Sequence, residues 1–295
     1  MGFETGPVTN VGSVRNKGIE FQISWKGSFS NDFYYSLGAN FSSINNKVLS
    51  LGTGKAIPGG SVFQKGYATL TQVGYPIGVY WGFKTDGLVQ NDAQLTEVKT
   101  RQPSAGLGDV VYKDINGYNA DGKTLSGVPD GKLNDADKTM IGSPIPDFTY
   151  GINLGFGYKG LEFSAFFDGV QGNEIFNATR SYIYGTNSIY NKHIDVLNYW
   201  TPENTNTTMP RVNGNDINDN LRISDRYVED GSFIRLKNIQ LTYTFPRSFT
   251  SKLKIEGIKV YVSAQNVLTI TKYSGLCPEI GQLSTSNYLS RGVDM

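Results

Sequence analysis

Residues 146–172 read PDFTYGINLGFGYKGLEFSAFFDGVQG. Phe148, Tyr150, Ile152, Leu154, Phe156 and Tyr158 fall at every second position, with Thr149, Gly151, Asn153, Gly155 and Gly157 between them. Leu161, Phe163, Ala165 and Phe167 then alternate with Glu162, Ser164, Phe166 and Asp168. Side chains alternate sides along a strand, so this pattern predicts two strands with one apolar and one small, polar face. Tyr158-Lys159-Gly160 is the tight turn between them.

The same alternation recurs on both sides of this hairpin. Ile19, Phe21, Ile23 and Trp25 share a face, as do Phe33, Tyr35, Leu37, Ala39 and Phe41. Residues 62–73 and 77–83 are weaker strand candidates around Gly74-Tyr75-Pro76. Residues 233–245 form a strand whose phase changes near Asn238, as a bulge would cause. Residues 258–268 alternate again. No segment of any length carries a helical period, and one short helix is expected near residues 191–200.

Composition narrows the class. The chain has 295 residues and a net charge of +1, without the basic block that nucleic-acid binding needs. Charged residues make up 18%, below the roughly 25% of soluble domains. Glycine (35), tyrosine (18) and phenylalanine (16) suit many strands with aromatic ends and tight turns. No apolar run reaches the length of about 18 residues that a membrane helix requires, which leaves barrel strands open. One cysteine, Cys277, allows no internal disulfide. Residues 1–12 lack the basic and apolar regions of a secretion signal.

Connection lengths sort by parity: residues 26–32, 74–76 and 158–160 are short, and 43–61, 84–145 and 173–231 are long. Outer-membrane barrels put short turns on one side and long loops on the other. Trp25, Phe33, Phe41, Phe148, Tyr158 and Phe245 lie near strand ends, where interfacial girdles form. The alternation alone also suits an antiparallel sheet with one face on a core. The fold class expected here is all-β: an antiparallel transmembrane β-barrel segment of about eight strands.

Several stretches together resemble the SusC/RagA-type TonB-dependent outer-membrane transporters over nearly the whole chain. They are residues 16–20 (NKGIE), 80–88 (YWGFKTDGL), Gly108-Asp109, and 112–114 (YKD) before an Asp/Asn-rich loop. Further on come Ile141-Gly142, 146–151 (PDFTYG), 231–241 (GSFIRLKNIQL), 261–266 (YVSAQN), Tyr273-Ser274-Gly275 and Pro278-Glu279. The resemblance implies that residues 1–295 are the C-terminal part of a plugged barrel of roughly 22 strands. The plug domain, the TonB-contacting segment and the last strand would lie outside it. It further implies a Gram-negative outer membrane, long extracellular loops at 84–145 and 173–231, and a SusD-like surface lipoprotein as partner. The transport expected is TonB-powered import of oligosaccharides or peptides, without enzymatic activity. The alternative is a secreted all-β, calcium-dependent glycan-binding module.

Site expectations concentrate in the loops. Calcium loops place oxygen side chains at alternate positions, then a glycine and a closing carboxylate. On the family pattern Asp114 and Asn116 supply the first ligands, Asp130-Gly131 resume after an insertion, and Asp137 closes a structural Ca²⁺ site. A second register uses Asp121-Gly122. Tyr182, Tyr184, Tyr190, Tyr199 and Trp200 are candidate sugar-stacking residues. His193, the only histidine, stands near Asp195 but lacks a nucleophile and an oxyanion hole. Asp168 and Glu174 are weak as a glycosidase pair. No catalytic residue is expected.

Overall fold

The computed structural model describes residues 12–30, 32–52, 54–62, 65–120, 124–185, 191–279 and 293–294. Its main sheet has six strands: β1 (Gly12–Ser28), β2 (Phe33–Leu51), β3 (Phe148–Tyr158), β4 (Leu161–Gln171), β5 (Phe233–Thr244) and β6 (Lys259–Thr271). They stand side by side in chain order, each antiparallel to the next. Among the described residues six strands form this wall. The candidates at 62–73 and 77–83 are strands, Gly66–Thr71 and Val79–Gly82, but they pair in a separate four-stranded sheet with Ile57–Val62 and Thr139–Gly142. Six and four residues are too few to cross a bilayer, which takes about 9–11. Alternation reports two unlike faces, not the sheet a strand joins.

The register carries the apolar face across the whole sheet. Leu37 pairs with Leu154, Leu154 with Ala165, Ala165 with Ile239 and Ile239 with Ala264. One step along, Ile23, Ala39, Ile152, Phe167, Leu236 and Leu268 form the next row. The opposite face carries polar rows, among them Gln22, Asn40, Gly151, Asp168, Arg235 and Thr269. A one-residue slip at any pairing would break every row. Even on inner strands the apolar side chains stay open, with Leu37 42% and Phe156 40% exposed. β3 has eleven residues, about 33 Å of strand, and a tilt near 40° makes that about 25 Å, the height of an outer-membrane apolar band.

Rings gather at both ends of this band. Phe29, Phe33 and Tyr35 are in contact at one end, as are Tyr243, Phe245 and Phe249. Phe41, Phe148 and Tyr150 touch at the other. Trp25 donates its indole N–H to the Tyr35 hydroxyl at 3.0 Å. The turn between β3 and β4 is the residue pair Lys159-Gly160, with φ of 47° and 84°. Two positive φ values define the hairpin turn whose twist matches its strands, and glycine takes one at no steric cost.

The phase change near Asn238 is a bulge. Phe166 faces Asn238 and Phe167 faces Leu236, so Lys237 has no partner in the β4 register. On β6 the pairing jumps from Gln265 to Leu268, and Asn266 has a φ of 51°. The extra residue moves the apolar set from Ile234 and Leu236 to Ile239, Leu241 and Tyr243, and so keeps them on one face.

The short connections, at 29–32, 159–160 and 245–258, all leave one end of the sheet. The long ones, 52–147 and 172–232, leave the other and fold together. Tyr80 and Ile141 of the first insert share a core with Phe176, Ile223 and Tyr227 of the second. Phe83 donates its backbone N–H to Ile223 at 2.9 Å, and Asp225 returns one to Phe83 at 3.2 Å. Helices appear where no helical period was expected: α1 (Asp92–Arg101) and α2 (Ala178–Tyr184). α1 hides its signal because only Val98 is buried along it; Asn91 caps it by accepting from the Gln94 N–H. The short helix near 191–200 is a 3₁₀ turn, Ile194–Asn198.

Candidate functional site

A cavity of about 540 Å³ opens between the two inserts. It is lined by residues of the 57–71 hairpin, by Trp81 and Phe83, and by residues from 133–138 and 219–223. Gly82 permits this assembly, since a Cβ there would stand 2.4 Å from the Ile223 carbonyl oxygen. Its ring-bearing residues are Tyr67, Trp81 and Phe83. Tyr75 stands edge-on to Trp81, with centroids 5.7 Å apart.

Charge in the cavity is arranged around Asp219. Lys65 pairs with its Oδ1, and the Arg222 Nε lies 3.6 Å from its Oδ2. The Arg222 guanidinium rests over two rings, 5.0 Å from Tyr112 and 5.7 Å from Phe83. Lys138 Nζ also lies over the Phe83 ring, 5.5 Å from its centroid, and pairs with Asp135 at 2.9 Å. Burial pushes the Tyr112 hydroxyl well above the usual tyrosine range, so it stays a neutral donor, to the Asp219 carbonyl at 3.0 Å.

The acidic loop closes on itself. Asp114 accepts N–H bonds from Asp130 (3.3 Å) and Gly131 (2.7 Å), so the expected halves do meet across the insertion. Asp137 is fully buried and accepts from Ile115, Asn116 and Asn134. Asn116 accepts from Gly117 and Gly127, and Asp130 from Lys132. These oxygens point at amide donors, which compete with a cation for the same lone pairs. Among the described residues no three His, Cys, Asp or Glu side chains converge. As arranged, both Asp137 oxygens are committed to amides, while Asp114 and Asp130 each keep further acceptor capacity. The second register, at Asp121-Gly122, lies outside the described residues.

The aromatic candidates separate. Trp200 is 6% exposed, stands in a core with Phe83, Leu88, Val110 and Tyr112, and donates its indole N–H to Gln90 at 2.9 Å. A Cβ at Gly108 would meet its ring at 2.5 Å, so Gly108 and Trp200 fit together. That corrects Trp200 from a stacking surface to a packing anchor. Tyr182 remains exposed. Tyr184 donates to Asp195 at 2.8 Å, packs edge-on against His193 and lies under Arg180. Burial and the Asp195 bond raise its hydroxyl pKa. Tyr190 lies outside the described residues. His193 accepts the Asp195 N–H as part of a turn. Asp168 faces Lys237 at 3.4 Å, while Glu174 accepts the Ser143 N–H at 2.7 Å, so each is engaged separately.

Sequence reading missed the clamp at Asp109. This fully buried carboxylate receives Arg211 at 2.8 and 2.9 Å, Asn220 at 3.0 Å and the Gly106 N–H at 2.8 Å. The motif Gly108-Asp109 pointed to it, but its side-chain partners, Arg211 and Asn220, lie 102 and 111 residues away. Arg222 and the Lys65–Asp219 pair carried no local signal.

The sheet and inserts together define a segment of an antiparallel transmembrane β-barrel wall with a folded cap on its long-loop end. Among the described residues no helix is long and apolar enough to cross a membrane. No family model matches the chain. The chain is similar to TonB-dependent receptors, and the likeness to the SusC/RagA type holds over nearly its whole length. It is 33% identical to TonB-dependent receptor P3 of Formosa agariphila over 288 residues, 96% of this chain and 27% of that protein. With TonB-dependent receptor SusC of Bacteroides thetaiotaomicron it shares 24% identity over 94% of its length and 25% of the relative's. The solved structure of the RagAB peptide transporter matches 97% of this chain and 28% of its own, with a TM-score of 0.72 and 27% identity. The chain thus spans about a quarter of the curated relatives it matches.

Proposed function

We propose that this chain is the C-terminal barrel portion of an outer-membrane, TonB-dependent importer in a Gram-negative bacterium. The observation that carries the reading is the set of unbroken apolar rows on one face of six strands, with all short turns at one end. Water would penalise such a face and lipid would not. Likeness to receptors and transporters supports the same reading. A secreted calcium-dependent glycan-binding module would leave those rows in water.

In this reading Lys159-Gly160 is a periplasmic turn, and the inserts at 52–147 and 172–232, which include the loops 84–145 and 173–231, face outward. The polar rows line the lumen. The inserts meet oligosaccharides or peptides delivered by a SusD-like lipoprotein, and energy coupling through TonB resides outside these residues. No reaction is assigned to the chain.

The test is sidedness in the full-length protein. A single reporter cysteine at Lys159→Cys, in a Cys277→Ser background, is treated with a membrane-impermeant maleimide in whole cells. Labelling is expected only after the outer membrane is breached. Labelling of intact cells at that position, or recovery of the parent protein in the soluble fraction, overturns the reading.

A further inference from the structure

β1 and β2 are longer than a bilayer crossing requires. They have 17 and 19 residues, where a tilted strand needs about 9–11, and the excess stands at the long-loop end. Along the apolar face of β1 the side chains run Trp25, Ile23, Phe21 and Ile19, and then turn basic with Lys17 and Arg15. β2 changes in step: Phe41 is followed on that face by Ser43, Asn45 and Lys47. The pairing is regular from Val14 onward, so no bulge moves these cations off the face that carries Phe21 and Phe41.

The register sets Arg15 directly opposite Lys47, and Lys17 opposite Asn45. Like charges directly opposite destabilise a strand pair, and a diagonal neighbour on the same face stands only about 7–8 Å away. All three cations are exposed, and among the described residues none of them has a carboxylate partner. Elsewhere on the same wall Lys159, Lys237 and Lys259 each have one. The height of the group is also particular. At a tilt near 40°, Lys17 stands about 5 Å and Arg15 about 10 Å beyond Ile19, the last apolar residue of the β1 face. Headgroups add about 5–8 Å to each side of the hydrocarbon layer, and long basic side chains lay their stems on apolar surface to bring the charge to that level. A guanidinium offers a phosphate two parallel N–H bonds, and two ammonium groups add point charges beside it.

From this arrangement we infer that Arg15, Lys17 and Lys47 bind the phosphate of a lipid headgroup in the outer leaflet, with its acyl chains along Ile19 and Phe21. The inference rests on the importer reading above, which puts this face in lipid. The charge of the phosphate removes the repulsion between Arg15 and Lys47, and so fastens the projecting end of the β1–β2 pair to the membrane surface. An acidic protein surface would have to enter between the wall and the lipid to reach the same groups.

Native mass spectrometry of the full-length protein in detergent tests this, with bisphosphorylated lipid A and the same lipid stripped of its phosphates as probes. The phosphorylated form is expected to be retained about tenfold better or more. A variant carrying Arg15→Gln, Lys17→Gln and Lys47→Gln together is expected to lose that preference, while Lys159→Gln, at the opposite rim, keeps it. Millimolar inorganic phosphate is expected to leave lipid retention unchanged. Four results overturn the inference: equal retention of the two lipids by the wild type, wild-type preference in the triple variant, loss of preference in Lys159→Gln, or displacement of the lipid by free phosphate. A patch that serves a protein carboxylate would give the first of these. The wild-type comparison needs no variant to fold. Heat-modifiable gel mobility of the same preparations reports the barrel separately: an intact barrel indifferent to the phosphates sinks the lipid inference alone, and a water-soluble parent sinks the importer reading.

Discussion

Asp109 and Arg211, one in each insert, meet in a two-pronged ion pair at 2.8 and 2.9 Å. The carboxylate is fully buried and the guanidinium side chain about one-third exposed. The hydrogen bonds to Asp109 raise the Arg211 pKa further, so the guanidinium stays charged. It fastens the first insert to the second far from the lipid-facing wall.

Asp109→Asn is therefore expected to weaken the inserts by about 2 kcal/mol, since one strong acceptor is lost while Arg211 keeps access to water. Hydrogen exchange should accelerate at residues 106–111 and 218–220. Heat-modifiable mobility of the barrel should not change. Unaltered exchange at those amides would remove the clamp from the account.

Asp216 gives a prediction in pH. Burial raises its carboxyl above the usual aspartate range, and its Oδ2 is buried without a partner among the described residues. A carboxyl raised in the folded state helps the fold while protonated, and that help is lost as pH rises through the folded pKa. At neutral pH the charge is a liability. Asp216→Asn keeps an oxygen for the Asn220 N–H and should stabilise the inserts at pH 7 by up to about 1 kcal/mol. The gain should shrink as pH falls toward the ordinary aspartate range. A gain equal at both pH values would point away from charge.

The two faces of β3 predict opposite responses to one charge. Ile152→Lys, near the middle of the apolar band, should cost about 2–4 kcal/mol in urea unfolding of the full-length protein in lipid. Asn153→Lys, one residue on and facing the polar rows, should cost far less. Equal costs would mean that the apolar face does not meet lipid.

The acidic loop predicts indifference to calcium. Its four oxygen-bearing residues are bonded to amides, so millimolar Ca²⁺ should leave the thermal unfolding of the full-length protein unchanged. A calcium-dependent rise that Asp137→Asn abolishes would restore the ion.

What was legible in the sequence follows from where each side chain finds its partner. Phe148 to Phe167 announce their strands because the faces are set by solvent, and solvent acts on every second residue alike. Asn238 was readable as a bulge because a skipped residue changes phase within one strand. Residues 62–73 carry the same alternation for another reason, packing inside the inserts, and no local signal separates the two. α1 was missed because its surface is almost wholly polar. Asp114, Asn116, Asp130 and Asp137 showed the composition of a calcium loop, and composition does not say whether an oxygen meets a cation or an amide. Trp200 looked available for stacking until Gly108, distant in sequence, was found beneath it.

The inserts also act on the wall that carries them. Their ends are tied to it, as where Val48 of β2 exchanges backbone bonds with Gly74 and Tyr75, and Asp147 donates its backbone N–H to Gln171 of β4. A slip of two residues between neighbouring strands would preserve the lipid-facing pattern, so the bilayer alone does not forbid it. It would, however, displace the roots of the inserts by about 7 Å and pull Tyr80 away from Phe176. The folded cap thus works as a gauge for strand alignment, rejecting offsets to which the membrane is blind.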